Sequence, residues 1–249
     1  MPEAIETLEG WYALHDLRRV DWESWHSWPA SRQESLVGDL KIWMANWQQK
    51  NHERQAGFGA YQIVGHKADL MFIYFCPTLE DFSRIEAHFR KPGWAELLVP
   101  TWSYLSVVEL SQYMAKGENP ETSAYLRSRL YPQVPDALYV SFYPMKKRRE
   151  GSDNWYMLSP DERRGLMKSH GLIGHSHRSR VHQIITGSQG LDDWEWGVTL
   201  FANDPIAFKK IVYEMRFDEA SARYADFGQF FTGIRLDPAH LPSWFQDSD

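Results

Sequence analysis

Apolar positions along the chain change their period repeatedly, and each change predicts an element. Gly10–His15 (GWYALH) reads as a strand. Between Ser31 and Gln49, Leu36, Leu40, Trp43, Met44 and Trp47 recur three or four apart, which is the spacing of one helix face. Ala68–Phe75 (ADLMFIYF) is an apolar run of strand length. Thr78 then opens a helix. Thr78 and Asp81 have the spacing of a capping box, and Leu79, Phe82, Ile85 and Phe89 follow at helical intervals. Ser103–Leu110 (SYLSVVEL), rich in β-branched residues, closes this half as a strand.

The second half repeats the outline. Ala137–Phe142 (ALYVSF) predicts a strand. Ser159–His170 predicts a helix with Ser159 at the N-cap, Pro160 at the first position, Glu162 completing a capping box and Gly171 just past the end. Val181–Ile185 and Trp194–Phe201 predict strands. Pro205–Met215 predicts a helix with an apolar stripe of Phe208, Ile211, Val212 and Met215, and Gly233–Leu236 a short last strand. Strand, helix, strand, strand, helix, strand matches the ferredoxin-like arrangement. The expected class is therefore α+β, with two ferredoxin-like repeats forming a pseudo-symmetric dimeric α+β barrel. The expected halves are residues 1–114 and 137–249, joined by a connector, 115–136, that carries Gly117, Pro120, Pro132 and Pro135.

Composition narrows the function classes. A chain of 249 residues is long enough for one large domain or two small ones. The formal net charge of -6 argues against a broad nucleic-acid surface, and the short basic run Lys146–Arg149 reads by itself as a solvated loop. The single cysteine, Cys76, excludes an intrachain disulfide and a cysteine zinc cluster and reads as a small core residue. No run of about 18 apolar residues predicts a membrane span. The acidic N-terminal segment has no signal pattern. A soluble cytoplasmic protein is the expectation. The aromatic content of 15% suits either a large core or a flat apolar ligand.

Several side chains carry candidate chemistry. His170, expected in the last turn of its helix, could serve as a cation against the helix dipole or as an axial ligand to haem iron. Gln183 alternates with Val181 and Ile185 on one strand face. It is either a satisfied core amide or a polar group over the open face of a haem. Tyr143 is either a half-buried tyrosine or a redox phenol, with Lys147 nearby to hold a carboxylate. Arg129, Arg216 and Ser221 are further carboxylate partners, although each type commonly makes a surface ion pair or a cap. His175, His177 and His182 have no familiar zinc spacing, and a loop or surface role is expected of them.

Together these residues resemble a known family. TLEGWYALHDLRRVDWESW, GHKADLMFIYF, SYLSVVELSQYMA, YPQVP, FYPMKKRR, KSHGLIG, QIITGSQGLDDWEWGVTLF and EMRFDEASARYADFGQFFTG are similar to segments of the iron-coproporphyrin decarboxylases of Gram-positive bacteria, in the chlorite dismutase-like superfamily. The resemblance spans nearly the whole chain. It implies that His170 is the proximal iron ligand and that Tyr143 is the catalytic tyrosine, which becomes a radical. It implies that Gln183 is on the distal side, and that Arg129, Met145, Lys147, Arg216 and Ser221 line the propionate pockets. The implied reaction converts coproheme to haem b through a three-propionate intermediate, with hydrogen peroxide as oxidant and the substrate's own iron as redox centre. A homopentamer is implied, and a coproporphyrin ferrochelatase is the conceivable donor of substrate.

Two other classes stand beside this one. A non-catalytic haem carrier or sensor would not need Tyr143, Lys147 and Arg216 together. A dye-type peroxidase would want a distal base and a strongly polarised proximal histidine, whereas Gln183 is no base and a weak histidine–iron bond would suit a product that must leave. True chlorite dismutases carry a distal arginine where this chain has Gln183. The loop GHSHRSR and the stretch NHERQAGFGAYQ depart from the family pattern without touching the matched positions.

Overall fold

The structure is a computed structural model that describes residues 4, 6–111 and 122–246. Strands β1 (Thr7–Val20), β2 (Gly57–Val64), β3 (Leu70–Cys76) and β4 (Leu98–Ser111) belong to the first part of the chain, with helices α1 (Trp22–Ser27), α2 (Ala30–His52), α3 (Leu79–Phe89) and α4 (Trp94–Leu97). Helix α5 (Ala124–Leu130) follows, then β5 (Tyr139–Lys147), the short hairpin β6 (Arg149–Glu150) and β7 (Asp153–Asn154), and α6 (Pro160–Ser176). The chain continues through β8 (His182–Gly187), β9 (Trp196–Ala202), α7 (Ile206–Met215), α8 (Glu219–Ala222), β10 (Ala225–Phe227), β11 (Phe231–Arg235) and α9 (Leu241–Gln246). The fold is mixed α+β, with antiparallel strands and helices, as expected. No helix among the described residues is long and apolar enough to cross a membrane.

The chain forms two compact units. Of the described residues, one comprises 10–105, 131–134 and 233–246, and the other 4, 6–9, 106–111, 122–130 and 135–232. The grouping does not follow chain order, since 6–9 group with the later unit and 233–246 with the earlier one. In the earlier unit β3 lies between β1 and β2, with Leu14 opposite Tyr74 and Ala60 opposite Phe72. The helix face anticipated on α2 is the buried one: Leu36, Leu40, Met44 and Trp47 pack with Phe58, Phe72 and Tyr74. The Thr78–Asp81 capping box is present, and Phe82, Ile85 and Phe89 of α3 join the same core. Truncating any one of these large buried side chains costs about 2–5 kcal/mol. Cys76 is buried, and burial pushes its thiol up to about 12, so it is an inert core residue. Strand β2, in the stretch NHERQAGFGAYQ, has no clear sequence period. Its Gly57 and Gly59 are needed for space, since a Cβ at Gly57 would come within 2.6 Å of Phe75 and one at Gly59 within 2.8 Å of Tyr61.

The later unit holds a five-strand antiparallel run in the order β10-β5-β9-β8-β4. Its register sets rows across the sheet. Tyr143 lies opposite Val198 and Val198 opposite Ile185; Met145 lies opposite Trp196 and Trp196 opposite Gly187; Leu200 lies opposite Gln183. Helices α6 and α7 complete the unit, with Phe208 and Ile211 of α7 packed against Val198, Leu200 and Ala202. Within the expected connector, 124–130 forms the helix α5, and residues 115–121 lie outside the described part of the chain.

Helix α6 corrects one expectation. Its start is as anticipated: Ser159 Oγ accepts from the Glu162 amide, and Glu162 accepts from the Ser159 amide at 2.8 Å. Gly171 does not end the helix, which runs on to Ser176, so His170 sits well inside it and not in its last turn. The helical hydrogen bonds outweigh the stop signal, because a glycine inside a helix costs only about 1 kcal/mol relative to alanine.

Candidate functional site

Helix α6 presents Arg163, Met167, His170, Gly171 and Gly174 along one face, at intervals of three and four residues. Opposite them are the inward side chains of alternate positions on the sheet: Tyr143, Met145 and Lys147 of β5, Gln183 and Ile185 of β8, and Trp196, Val198 and Leu200 of β9. Ile211, Val212 and Met215 of α7 close one wall. Together they enclose a cavity of about 750 Å³ within the later unit. It is mainly apolar, with a few polar groups converging on it, which is the usual make-up of a small-molecule site.

His170 is held from behind. Its Nδ1 is 2.9 Å from Oδ2 of the buried Asp218, and Ser169 Oγ donates to the other carboxylate oxygen at 2.9 Å. Ser221 Oγ lies 3.5 Å from the same ring nitrogen. A carboxylate on Nδ1 fixes the tautomer that leaves the Nε2 lone pair available, orients the ring and strengthens its donation to a metal. Asp218 and Ser169 were not singled out in the sequence, and only a partner for a helical histidine could have hinted at them.

Tyr143 stacks on Phe230 at 4.3 Å and lies 5.9 Å from Phe227. Burial pushes its phenol up to about 12 against the opposing pull of the Arg216 cation, so the proton stays on oxygen at neutral pH. Arg216 itself lies flat over Phe227 at 3.6 Å. Lys147 is buried, with Nζ donating to the Ala220 carbonyl at 3.2 Å and standing 4.1 Å over the Trp155 ring. Burial brings its ammonium down to about 8, and Asp218 and Glu195 oppose that shift. The basic run is thus split: Lys147 turns into the cavity while Arg149 stays exposed. Ser221, on α8, is buried and lines the cavity.

The structure brings Tyr143, Met145, Lys147, His170, Gln183, Arg216 and Ser221 to one cavity. Arg129 is not among the lining residues. It lies on α5, where its charge helps to hold the His182 imidazole below its ordinary range, after burial. His175 belongs to α6 and is not part of a strand. His177, expected at the surface, is buried, and its Nε2 meets Glu214 of α7 at 2.7 Å. No group of three or more metal-binding side chains of the His, Cys, Asp and Glu types gathers among the described residues. Sequence reasoning missed Glu109, Trp155, Tyr156, Arg163 and Trp196, all of which line the cavity. Alternation along SYLSVVEL could have flagged Glu109; the others depend on the tertiary fold.

The fold and this site define an α+β protein with a histidine-bearing, largely apolar cavity in its later unit. Residues 33–236 match the family model for chlorite dismutase, so the chain belongs to the chlorite dismutase family. A heme-binding protein from Thermus thermophilus is similar over 99% of both chains, with 48% identity and a TM-score of 0.92. Chlorite dismutase from Candidatus Nitrospira defluvii in complex with imidazole shares the fold at 20% identity over 95% of both chains, with a TM-score of 0.75. A doubly substituted form of the same enzyme gives 21% identity over 98% of both chains and a TM-score of 0.76.

Proposed function

We propose that this protein binds iron coproporphyrin III and removes two of its propionate carboxyls with hydrogen peroxide, yielding haem b through a three-propionate intermediate. The observation that carries this reading is the convergence of Tyr143, Lys147, Arg216 and Ser221 with His170 on one cavity. The 48% identical heme-binding relative from Thermus supports a porphyrin ligand. The residues fit such a ligand: Nε2 of His170 is the nitrogen left for iron, and Gly171 leaves open space beside it, with no atom within 4 Å of an added Cβ.

Each residue has a part. His170 holds the iron, backed by Asp218. Lys147, Arg216 and Ser221 grip propionates by charge-assisted and hydroxyl hydrogen bonds. Arg163, buried and facing the cavity, is a further cation on the same helix face as His170. Tyr143 gives up an electron and its phenolic proton together, because burial disfavours the phenolate. The resulting phenoxyl radical takes a hydrogen atom from the propionate β-carbon and regains its O–H. Loss of a second electron from the carbon radical breaks the bond to the carboxylate, releasing carbon dioxide and leaving a vinyl group. One peroxide accepts the two electrons of each cycle and becomes water, with net uptake of one proton per ionised carboxyl. Gln183 takes no proton at neutral pH and acts as a hydrogen-bond partner.

Asp218 supplies the polarised histidine that a peroxidase would want, so the distal amide is what still speaks against that class. The test is addition of peroxide to protein loaded with iron coproporphyrin III, followed by mass spectrometry of the porphyrin. Stepwise loss of two carboxyls is expected in the parent, and Tyr143→Phe should retain the porphyrin but lower turnover by at least about a hundredfold, in the range of loss of an essential reacting group. An unchanged porphyrin in the parent, or a Tyr143→Phe variant as fast as the parent, would overturn the reading in favour of a carrier or sensor.

A further inference from the structure

Among the described residues the cavity is not evenly charged around its margin. Lys147, Arg216 and Ser221 gather on the side of β5 and β10. Phe227, under Arg216, pairs with Met145, and Lys147 reaches Ala220 just before Ser221. At the other margin of the same five-strand run stands Glu109 of β4. From β10 to β4 is four strand spacings, on the order of 19 Å.

Glu109 is seated by construction. Trp196 Nε1 donates to its Oε1 at 2.9 Å, and its carboxyl lies on the bare face of Gly187, where a Cβ would come within 2.6 Å of Glu109 Cδ. A side chain at position 187 would displace it. Among the described residues no cation pairs with it, and burial, with a lesser push from Glu9, holds its carboxyl above the ordinary range. An acid built into a cavity otherwise fitted to acidic groups needs a reason.

We propose that Glu109 determines the orientation and selectivity of the bound macrocycle, reserving the β4 margin for a porphyrin edge that carries no carboxylate. A ligand carboxylate placed there would meet a like charge or require uptake of a proton, while every carboxylate at the opposite margin meets Lys147, Arg216 or Ser221. Coproporphyrin III has one edge flanked by two methyl groups and can satisfy both margins at once. Uroporphyrin, with acidic groups on every edge, cannot. The inference rests on the porphyrin reading and adds its discriminating residue.

The experiment compares dissociation constants of iron coproporphyrin III and iron uroporphyrin III at neutral pH, read by tryptophan fluorescence quenching, for the parent and Glu109→Gln. The amide is isosteric and still accepts from Trp196. It should shift the ratio of the two dissociation constants at least about tenfold toward uroporphyrin. Trp196→Phe, which removes the donor that aims Glu109, should relax the selectivity in the same direction. Selectivity unchanged in both variants overturns the role of Glu109 while leaving the porphyrin reading intact. A parent that binds neither porphyrin overturns both.

Discussion

Lys147 shows how one side chain couples the site to pH. Its folded-state value near 8 lies below the ordinary 10.5 because burial penalises the ammonium. Below about pH 8 folded and unfolded chains both carry the proton, and the burial penalty is fully present. As pH rises from about 8 toward 10.5 the folded form sheds the proton first, so this group's penalty on stability is relieved. Carboxylate binding runs the other way, since only the ammonium holds an anion. Affinity for iron coproporphyrin III should therefore fall above about pH 8, by up to about tenfold per pH unit, as for linkage to a single proton. Lys147→Met should flatten that fall; fluorescence titration across the range checks it, and an unchanged slope in the variant would assign the pH dependence elsewhere.

Helix α6 is the element on which the site turns. It places a cation, a thioether, an imidazole and two glycines along one face, and its N-terminal capping box is worth about 1 kcal/mol against an alanine at Ser159. Gly171 and Gly174 weaken the helix and keep the face low where a flat ligand would rest. No atom lies within 4 Å of a Cβ added at Gly171. Gly171→Ala should accordingly stabilise the ligand-free protein by up to about 1 kcal/mol while weakening porphyrin binding. Thermal melting and ligand titration of the same sample test both halves of the statement. A variant that melts higher and binds as well as the parent would show that the glycine has no part in the site.

At the scale of the whole molecule, the cavity belongs to one compact unit and is walled by α6, α7 and the sheet. A ligand there would meet segments far apart in the chain, from Thr7 to Phe227, and binding should raise the stability of the folded state. At a hundred times the dissociation constant the gain is about 2.7 kcal/mol. For a chain of this size that is a melting-temperature increase on the order of 5–10 °C, which should keep growing as free ligand is raised. His170→Ala should reduce the shift caused by iron coproporphyrin far more than that caused by the iron-free porphyrin. Equal losses for both would mean that the imidazole supports packing and does not hold the metal.

The sequence by itself determined most of the elements, because helix and strand periods, capping boxes and turn residues act over a few positions. The faces of α2, α3 and α7, the capping box at Ser159 and the alternation that sets Gln183 beside Ile185 were all legible in this way. So was the candidate set Arg129, Tyr143, Met145, Lys147, His170, Gln183, Arg216 and Ser221, of which all but Arg129 line the cavity, although its convergence was an expectation drawn from resemblance. Only the tertiary structure decided that α6 continues through Gly171, since a weak local stop yields to hydrogen bonding along the helix. It alone joined Asp218 to His170, buried His177 against Glu214, left Arg129 off the cavity wall and set Glu109 over Gly187 within reach of the Trp196 indole N–H. Each of these rests on strand order, register or helix packing between distant segments, and a local pattern of residues carries no record of which distant segment will lie beside it.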